Sequence, residues 1–359
     1  MKPYGIISDT HNHAWSAFAS TNERGINTRL QMTLDETRRA GEAVLAAGGD
    51  TLFHGGDLFH VRGSIAPSVL NPTKDLYKEL IGKGLNIVLL TGNHDLEGRD
   101  TSRIGSAVTA LEDVGCKVVS TVEDGKRVSE SVALIPWIQD VEKLKETIQK
   151  VYDDAGPIGP LDLIIHAPVD GVIPGLPDHG LSYAWLGKVG FRRVFSGHYH
   201  HFKDFGNGVY SIGALTHQNW GDIGSKAGFL IVSDDGVKWH STRAPAFVQI
   251  DASTNTEEIP LIVDGNYVRA KLNTGKQHEI EAMRQHLLDC GALGVVILSQ
   301  KEAPSAGTRT GAAAATVKAG ASIEASVADF VKAGAFAKPE ALITEAMSVL
   351  AEARLETAE

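Results

Sequence analysis

The stretch TLFHGGDLFH, residues 51–60, changes from apolar to polar within a few positions. Its first four residues are centred on the apolar pair Leu52 and Phe53, and a short run of this kind is typical of buried strands. Two glycines follow and permit a tight turn. After them come Asp57 and His60, whose side chains can bind a metal ion. This stretch therefore predicts a buried strand that presents metal-binding side chains at its carboxyl end.

The same arrangement recurs after four other apolar runs. DTH at residues 9–11 directly follows the run 4–8, and GNHD at residues 92–95 follows the run 86–90. A single histidine follows the run 162–165, and GHYH at residues 197–200 follows the run 193–195. Ligands of open α/β sheets bind at the carboxyl ends of the strands, so we expect the five sets to meet at one site. The candidate metal ligands are Asp9, His11, Asp57, Asn93, His166, His198 and His200.

Apolar runs that alternate with helical patterns predict an α/β fold. Besides the runs already named, residues 132–135 read as a strand, and helical spacing covers residues 34–47 and 142–152. The later runs 209–212 and 229–232 have no helix between them. Part of the sheet is therefore expected to be antiparallel or mixed.

The chain is expected to divide into four segments. Residues 1–250 carry the metal-ligand motifs, and residues 251–302 read as a small α/β unit with strands at 267–272 and 295–299 around a helix. Residues 303–322 are rich in Ala and Gly, which predicts a flexible linker. Residues 323–359 predict C-terminal helices, in which Pro339 opens the last helix and an apolar stripe runs along it.

Composition fits a globular protein and excludes several classes. The chain has 359 residues, of which 43% are hydrophobic and 22% charged. A net charge of -10 argues against a protein that coats polyanions, although it permits a local basic groove. Two cysteines without CxxC spacing exclude a disulfide scaffold and a thiolate zinc site, and favour a cytoplasmic location. No apolar run approaches the ~18 residues of a membrane span, and no signal peptide is recognised, so no membrane partner is expected.

The donor set combines carboxylate, amide and imidazole groups without a thiolate. Such a set suits Mn²⁺, Fe or Zn²⁺ better than Ca²⁺ or a structural zinc ion. Seven ligands are too many for one tetrahedral ion, but they suit two ions that share a carboxylate. Two such ions can hold the attacking and leaving oxygens of a phosphoryl displacement.

The ordered motifs DTH, GGDLFH, GNHD, a single histidine after a strand, and GHYH resemble the calcineurin-like metallophosphoesterase superfamily over residues 1–250. The GGDLFH form is most similar to the SbcD-type DNA-repair exonuclease branch. The resemblance implies a two-sheet sandwich flanked by helices, a small α/β capping domain, and C-terminal helices at the place where that branch docks an SMC-like ATPase of the SbcC type.

The resemblance also implies a role for each motif residue. One ion would be held by Asp9, His11, Asp57 and His200, and the other by Asp57, Asn93, His166 and His198. His94 would stabilise the transition state or act as general acid, and His60 would place the DNA and orient the phosphate. The resemblance implies two divalent ions, with Mn²⁺ favoured and Mg²⁺, Fe and Zn²⁺ as alternatives.

The leading hypothesis is a metal-dependent exo- or endonuclease that hydrolyses DNA phosphodiesters. Its expected partners are DNA, an SMC-like ATPase and a second copy of the chain. The absence of GxxxxGK[ST] places any ATPase in another chain. The alternative is a phosphodiesterase or phosphatase acting on small molecules such as nucleotides, which the acidic charge favours. A protein Ser/Thr phosphatase is disfavoured because GDxxDRG is absent, and a non-catalytic scaffold is disfavoured because all seven ligands are present.

Several residues near the motifs have weaker expectations. Asp95 is expected to orient His94 or to cap a helix. His13, His201 and His217 are expected to be non-catalytic. The aromatic residues Trp15, Phe18 and Trp220 can stack on unpaired bases or pack in the core, and core packing is favoured.

Overall fold

The computed structural model describes residues 1–98, 102–125, 131–155, 161–299, 327, 331–332 and 339–356. The strands are β1 Tyr4–Ile7, β2 Thr51–His54, β3 Asn86–Leu90, β4 Lys117–Val119, β5 Val132–Ile135, β6 Asp162–His166, β7 Arg193–Gly197, β8 Lys203–Asp204, β9 Val209–Ser211, β10 Gly228–Ser233, β11 Gly236–Ser241, β12 Phe247–Ile250, β13 Tyr267–Leu272 and β14 Gly294–Ser299. The α-helices are α1 Thr28–Ala46, α2 Pro67–Gly82, α3 Val122–Gly125, α4 Val141–Ala155, α5 Tyr183–Val189, α6 Ile259–Val263, α7 Gln277–Asp289 and α8 Pro339–Glu356. Two 3₁₀ helices span Ala107–Val114 and Trp220–Asp222.

Two mixed sheets carry the predicted metal ligands. The first has the order β11-β10-β1-β2-β3-β4, in which β1 to β4 run parallel and β10 and β11 run antiparallel to their neighbours. The second has the order β5-β6-β7-β9-β8, and only β8 is antiparallel there. The predicted mixed sheet is confirmed, and β8 to β11 follow one another without an intervening α-helix.

The two sheets form a sandwich because their strands bury both faces. Alternate residues such as Ile6 of β1 and Phe195 of β7 share one apolar cluster, which draws its members from both sheets. The next residue of β1, Ile7, lies in a second cluster with residues of α1 and α2. Residues of β6 pack with α4 and α5 in a third. The predicted α/β sandwich flanked by helices is confirmed.

Helices α1 and α2 show where local signals were misread. The sequence predicted a helix from residue 34, but α1 begins at Thr28, because the Asn27 side chain caps it by accepting from the amides of Arg29 and Leu30. Helix α2 was not predicted at all. It starts with a proline in its first turn and contains Pro72, a residue that usually ends a helical pattern.

Residues 247–299 contain the third sheet and helices α6 and α7, which share an apolar cluster. Strands β12, β13 and β14 are all parallel, and α6 and α7 supply buried side chains such as Val263 and Leu287. The three sheets belong to one compact unit, which comprises Met1–Leu272 and Lys276–Ser299. A second unit comprises Asn273–Gly275 and Gln300–Glu359. The division into four segments stays a prediction.

The C-terminal expectations are tested only in part. Helix α8 begins at Pro339, as predicted. The predicted linker at 303–322, and most of the predicted helix at 323–332, lie outside the described residues. Among the residues that are described, no helix is both long enough and apolar enough to cross a membrane.

Candidate metal centre

The predicted ligands follow β1, β2, β3 and β7 or end β6, and several have unusual backbone conformations. Five described non-glycine residues have a positive φ, and four of them are Asp9 (49°), His11 (44°), Asp57 (55°) and His198 (100°). Such conformations cost on the order of 1–3 kcal/mol each and persist where surrounding contacts impose them. Gly92 allows close approach, since a Cβ at that position would overlap Asp57 Oδ1. Backbone strain is therefore concentrated at the predicted ligands.

Asp9, His11 and His200 form the first group of donors. One ligand atom from each lies within 4.8 Å of the others. The Nε2 atoms of His11 and His200 are 3.2 Å apart. Asp9 and His11 are buried, whereas 20% of the His200 side chain is exposed. This group is therefore accessible from the His200 side.

Asp57, His166 and His198 form the second group, again within 4.8 Å of one another. Asn93 Oδ1 lies 3.1 Å from His166 Nε2 and 3.0 Å from His198 Nδ1. Asp57 Oδ1 lies 3.4 Å from His166 Nε2, and its Oδ2 lies 3.7 Å from His11 Nε2. The two oxygens of the Asp57 carboxylate thus face different groups. The structure brings all seven predicted ligands together.

The protonation of the histidines shows that the donor set suits cations. His166 Nδ1 donates to the Gly55 carbonyl at 2.8 Å, so in the neutral ring Nε2 carries a lone pair. That lone pair faces oxygens of Asn93 and Asp57, which are also acceptors. Acceptors so close together need a proton or a cation between them. His200 repeats the pattern, since its Nδ1 bonds to a carboxylate and its Nε2 faces the first group.

Burial and charge determine which of these groups hold protons in the metal-free protein. Burial lowers the pKa of His166, but the charges of Asp57 and Asp9 outweigh it and raise that pKa to about 9. Burial acts to raise the pKa of Asp57, but His166 and His11 hold it well below its usual range. Burial raises the pKa of Asp9 to about 6 and lowers that of His198 to about 3. A proton on His166 therefore takes the place of a cation.

His94 and His60 lie beside the first group. The His94 amide donates to Asp57 Oδ1 at 2.8 Å, and its ring Nδ1 donates to the His60 carbonyl at 2.8 Å. The His60 ring stacks on the His94 ring at 5.6 Å, and both rings contact the His11 ring. Burial lowers the pKa of His60 to about 4. The catalytic roles of these two histidines stay predictions.

No sequence signal identified Asp222, which supports a predicted ligand. Asp222 Oδ1 accepts from His200 Nδ1 at 2.7 Å, and its other oxygen accepts from the amides of Gln218 and Asn219. Burial acts to raise the pKa of Asp222, but the hydrogen bond with His200 lowers it to about 2. Asn219 and Asp222 form a capping box on the 3₁₀ helix. That spacing could have signalled a helix start, but not a contact with a metal ligand.

Trp137 was also missed, and so were the contacts that Asp95 makes with the loop after β2. Trp137 follows β5 and stacks on the His198 ring at 5.2 Å. The Asp95 carboxylate accepts from the backbone amides of Gly92, Leu58 and Phe59, and its backbone carbonyl accepts from the amide of Ala107, the first residue of a 3₁₀ helix. Burial raises its pKa to about 7. Asp95 therefore holds two ligand-bearing loops against each other.

A family model described as calcineurin-like phosphoesterase matches residues 2–202, which include all seven predicted ligands. A comparison with curated proteins returns no significant match.

Three solved structures show weak similarity to the chain. The nuclease MPE of Pseudomonas putida is 17% identical, with coverage of 66% of this chain and 87% of that one, and a TM-score of 0.29. A dimetal phosphatase of Danio rerio is 12% identical, with coverage of 64% and 91% and a TM-score of 0.38. A tryptophan synthase complex of Pyrococcus furiosus is 13% identical, with coverage of 82% and 85% and a TM-score of 0.21. Scores this low do not transfer an activity.

Proposed function

Because the chain belongs to the calcineurin-like phosphoesterase family, whose members are hydrolases that bind a pair of divalent metal ions, we propose that it is a nuclease that hydrolyses DNA phosphodiester bonds with two ions. When bound, such ions polarise the phosphate and lower the pKa of a bound water molecule. Mn²⁺ is the ion that we propose first, because the donors are nitrogen and oxygen atoms without a thiolate.

The proposed roles follow from which atoms face each other. Asp9, His11 and His200 would hold one ion, and Asn93, His166 and His198 the other, with Asp57 bridging them. His94 would protonate the leaving oxygen, because its Nδ1 donates to the His60 carbonyl and fixes the ring beside the first group. His60 would orient the phosphate from the adjoining position.

The proposal for a diester substrate depends mainly on one observation, the aromatic rings next to both groups of ligands. Trp137 stacks on His198 in the second group, whereas Trp15 lies 4.5 Å from His60, next to the first group. Both tryptophans are only partly buried. A phosphodiester carries a substituent on each side of phosphorus, and stacking a base on an aromatic ring is worth about 1–3 kcal/mol. A polynucleotide can use both sides, and a phosphomonoester only one.

The alternative is a phosphodiesterase or phosphatase that acts on small molecules such as nucleotides. The net charge of -10 favours it, because a polyanion is repelled unless basic residues are concentrated along its path. The same seven ligands would serve both reactions. The two functions therefore differ in how the rest of the substrate is bound.

The deciding experiment uses the full chain loaded with Mn²⁺. It compares labelled duplex DNA, single-stranded DNA and thymidine 5′-p-nitrophenyl phosphate at several salt concentrations. We expect DNA to be cut, and we expect its affinity to fall as salt rises, since each phosphate contact adds about 0.9 to the salt slope with B-DNA. Turnover of the small diester should depend much less on salt. If the diester is hydrolysed while DNA is neither bound nor cut, the small-molecule function is correct.

A further inference from the structure

A small pocket lies beside the first group of ligands and has no role so far. Its volume is about 190 Å³, and its lining includes Asn12, His13, Phe59, Val61, Ile65 and Val69. Phe59 and Val69 are buried at its base, whereas Val61 is 41% exposed at its rim. We refer to it as the Phe59 pocket.

The pocket begins where two ligand-bearing segments run side by side. The backbone amide of Asn12 donates to the Leu58 carbonyl at 2.7 Å, and Asn12 pairs with Phe59 in a parallel β-bridge. Asn12 directly follows the ligand His11, and Phe59 is two residues beyond the ligand Asp57. Two residues span about 7 Å, so the pocket walls begin close to the ligands.

Imidazole rings connect the pocket with the ligands. The His60 ring lies 5.3 Å from the His11 ring and 5.1 Å from the His13 ring. His13 is itself part of the pocket wall. A substrate whose phosphate lies at the first group can therefore extend past His60 into the pocket.

The size and chemistry of the pocket favour a single planar ring. Pockets for drug-sized ligands measure about 300–1,000 Å³, so this smaller one can hold a base but not a whole nucleotide. The described lining is mostly apolar and contains no Lys or Arg, which disfavours a phosphate. Asn12 Nδ2 donates to Thr73 Oγ1 at 3.2 Å, while its buried Oδ1 has no hydrogen-bond partner among the described residues. A local shift that brings an N–H of a base to this oxygen would satisfy it.

We propose that the Phe59 pocket binds the nucleobase of the nucleotide attached to the scissile phosphate. The site would then favour diesters that carry a base over diesters that do not. This proposal rests on the proposed function, because it assumes that the phosphate lies at the two groups of ligands. It applies equally to DNA and to a nucleotide diester.

The test fills the pocket and measures a ratio. Ile65→Trp places a large ring in the pocket, and Val61→Asp places a charge at its rim. For each protein, kcat/KM is measured for thymidine 5′-p-nitrophenyl phosphate and for methyl p-nitrophenyl phosphate, which lacks a base. We expect the ratio of the two values to exceed ten in the unaltered protein and to fall about tenfold or more in both variants, since burial of one apolar ring against apolar side chains is worth about this much.

Controls separate a lost pocket from a damaged protein. Leu261→Ala changes an apolar residue of α6 that is 83% exposed, and it should leave the ratio unaltered. Metal content and thermal unfolding report whether each variant is folded. Binding of thymidine 5′-phosphate, followed by calorimetry, gives a readout without turnover and should weaken by a similar factor in both pocket variants.

The outcomes distinguish this proposal from the proposed function. If DNA is cut but the ratio and the binding of thymidine 5′-phosphate are unaltered in folded, metal-loaded Val61→Asp and Ile65→Trp, the pocket proposal is wrong and the nuclease proposal stands. A ratio near one in the unaltered protein overturns the pocket proposal as well. If DNA is not cut but the ratio falls in the variants, the nuclease proposal is wrong and the base pocket is supported.

Discussion

We propose that the His94 ring acts on the substrate rather than binding an ion. Its Nδ1 is hydrogen-bonded to the His60 carbonyl, and its amide is bonded to Asp57. We expect His94→Asn to lower kcat by roughly 10²–10⁴ for a nucleotide diester, the range typical of general acid–base catalysis, with metal content retained. Kinetics and metal analysis of the same preparation measure both. His179→Asn, at an exposed position, is the control. Loss of metal together with activity would make His94 a ligand.

Asp222 positions the predicted ligand His200 through a carboxylate–histidine hydrogen bond. Asp222→Asn removes the charge and presents an amide group to the backbone donors at Gln218 and Asn219. Partners of this kind typically contribute 10–100-fold to metal affinity, and we expect a loss of about that size. Competition with a chelator measures it. Asp235→Asn, at an exposed position, should have no effect, and an equal affinity in both variants would remove Asp222 from the metal site.

Metal binding should release a proton from His166. Its pKa is raised to about 9 in the metal-free protein, mainly by Asp57 against the opposing effect of burial, so the ring is protonated at neutral pH. A cation must displace that proton, and its affinity should therefore fall as the pH falls from 8 to 6. Calorimetry in buffers with different ionisation enthalpies counts the protons released. His166→Asn should release about one proton fewer, and a pH-independent affinity would contradict this assignment.

Among the elements, the 3₁₀ helix Trp220–Asp222 connects the third sheet to the candidate metal site. Trp220 contacts Phe247 of β12 at 4.8 Å, and Phe18 stacks on Tyr267 of β13 at 5.0 Å. The Arg29 guanidinium lies 5.1 Å from the Phe247 ring. The expected core packing of Phe18 and Trp220 matches these contacts. The four rings and the Arg29 guanidinium form an aromatic cluster. Because Asp222 ends the 3₁₀ helix that begins with Trp220, this cluster supports His200 indirectly through Asp222.

Phe247→Ala tests this connection, because Phe247 is 2% exposed and lies within the cluster. Removing a buried phenyl ring should lower the free energy of unfolding by about 3–5 kcal/mol, which urea unfolding measures. Metal affinity should fall as well, since Trp220 loses its neighbour. Leu261→Ala on α6 is the control for both measurements. If stability falls while affinity does not, the cluster stabilises the third sheet alone.

For the whole molecule, the C-terminal segment is predicted to be dispensable for hydrolysis. All seven predicted ligands lie within residues 9–200, and the third sheet ends at Ser299. Truncation after Lys301 should leave a folded protein that hydrolyses a small chromogenic diester, because the apolar clusters described for the sheets are built from earlier residues. Processive duplex digestion, dimerisation or docking of an SMC-like ATPase should be impaired instead.

Pull-down of such an ATPase by the full chain, but not by the truncated protein, would support docking at the tail. The apolar stripe predicted along α8 is the reason to expect an interaction surface there. An insoluble truncated protein with disturbed metal content would instead make the tail part of the catalytic fold, and the stripe would then be ordinary packing.

The two-sheet sandwich was implied by the resemblance to the metallophosphoesterase superfamily, whereas the sequence by itself determined the α/β class and the candidate ligands. Both depend on local signals, because an apolar run that ends in a polar residue such as Asp57 or Asn93 marks the end of a buried strand wherever the strand lies. Parallel strands bring their carboxyl ends to the same edge, so the convergence of the five motifs could be inferred without knowing the strand order.

Only the tertiary structure decided which other residues join the site. Trp137 reaches His198 because β5 and β7 lie on either side of β6, and Asp222 reaches His200 because the 3₁₀ helix packs on Phe247. The Phe59 pocket likewise depends on the pairing of two loops after β1 and β2. No local pattern encodes these contacts, because they depend on sheet order and on packing between segments far apart in the chain.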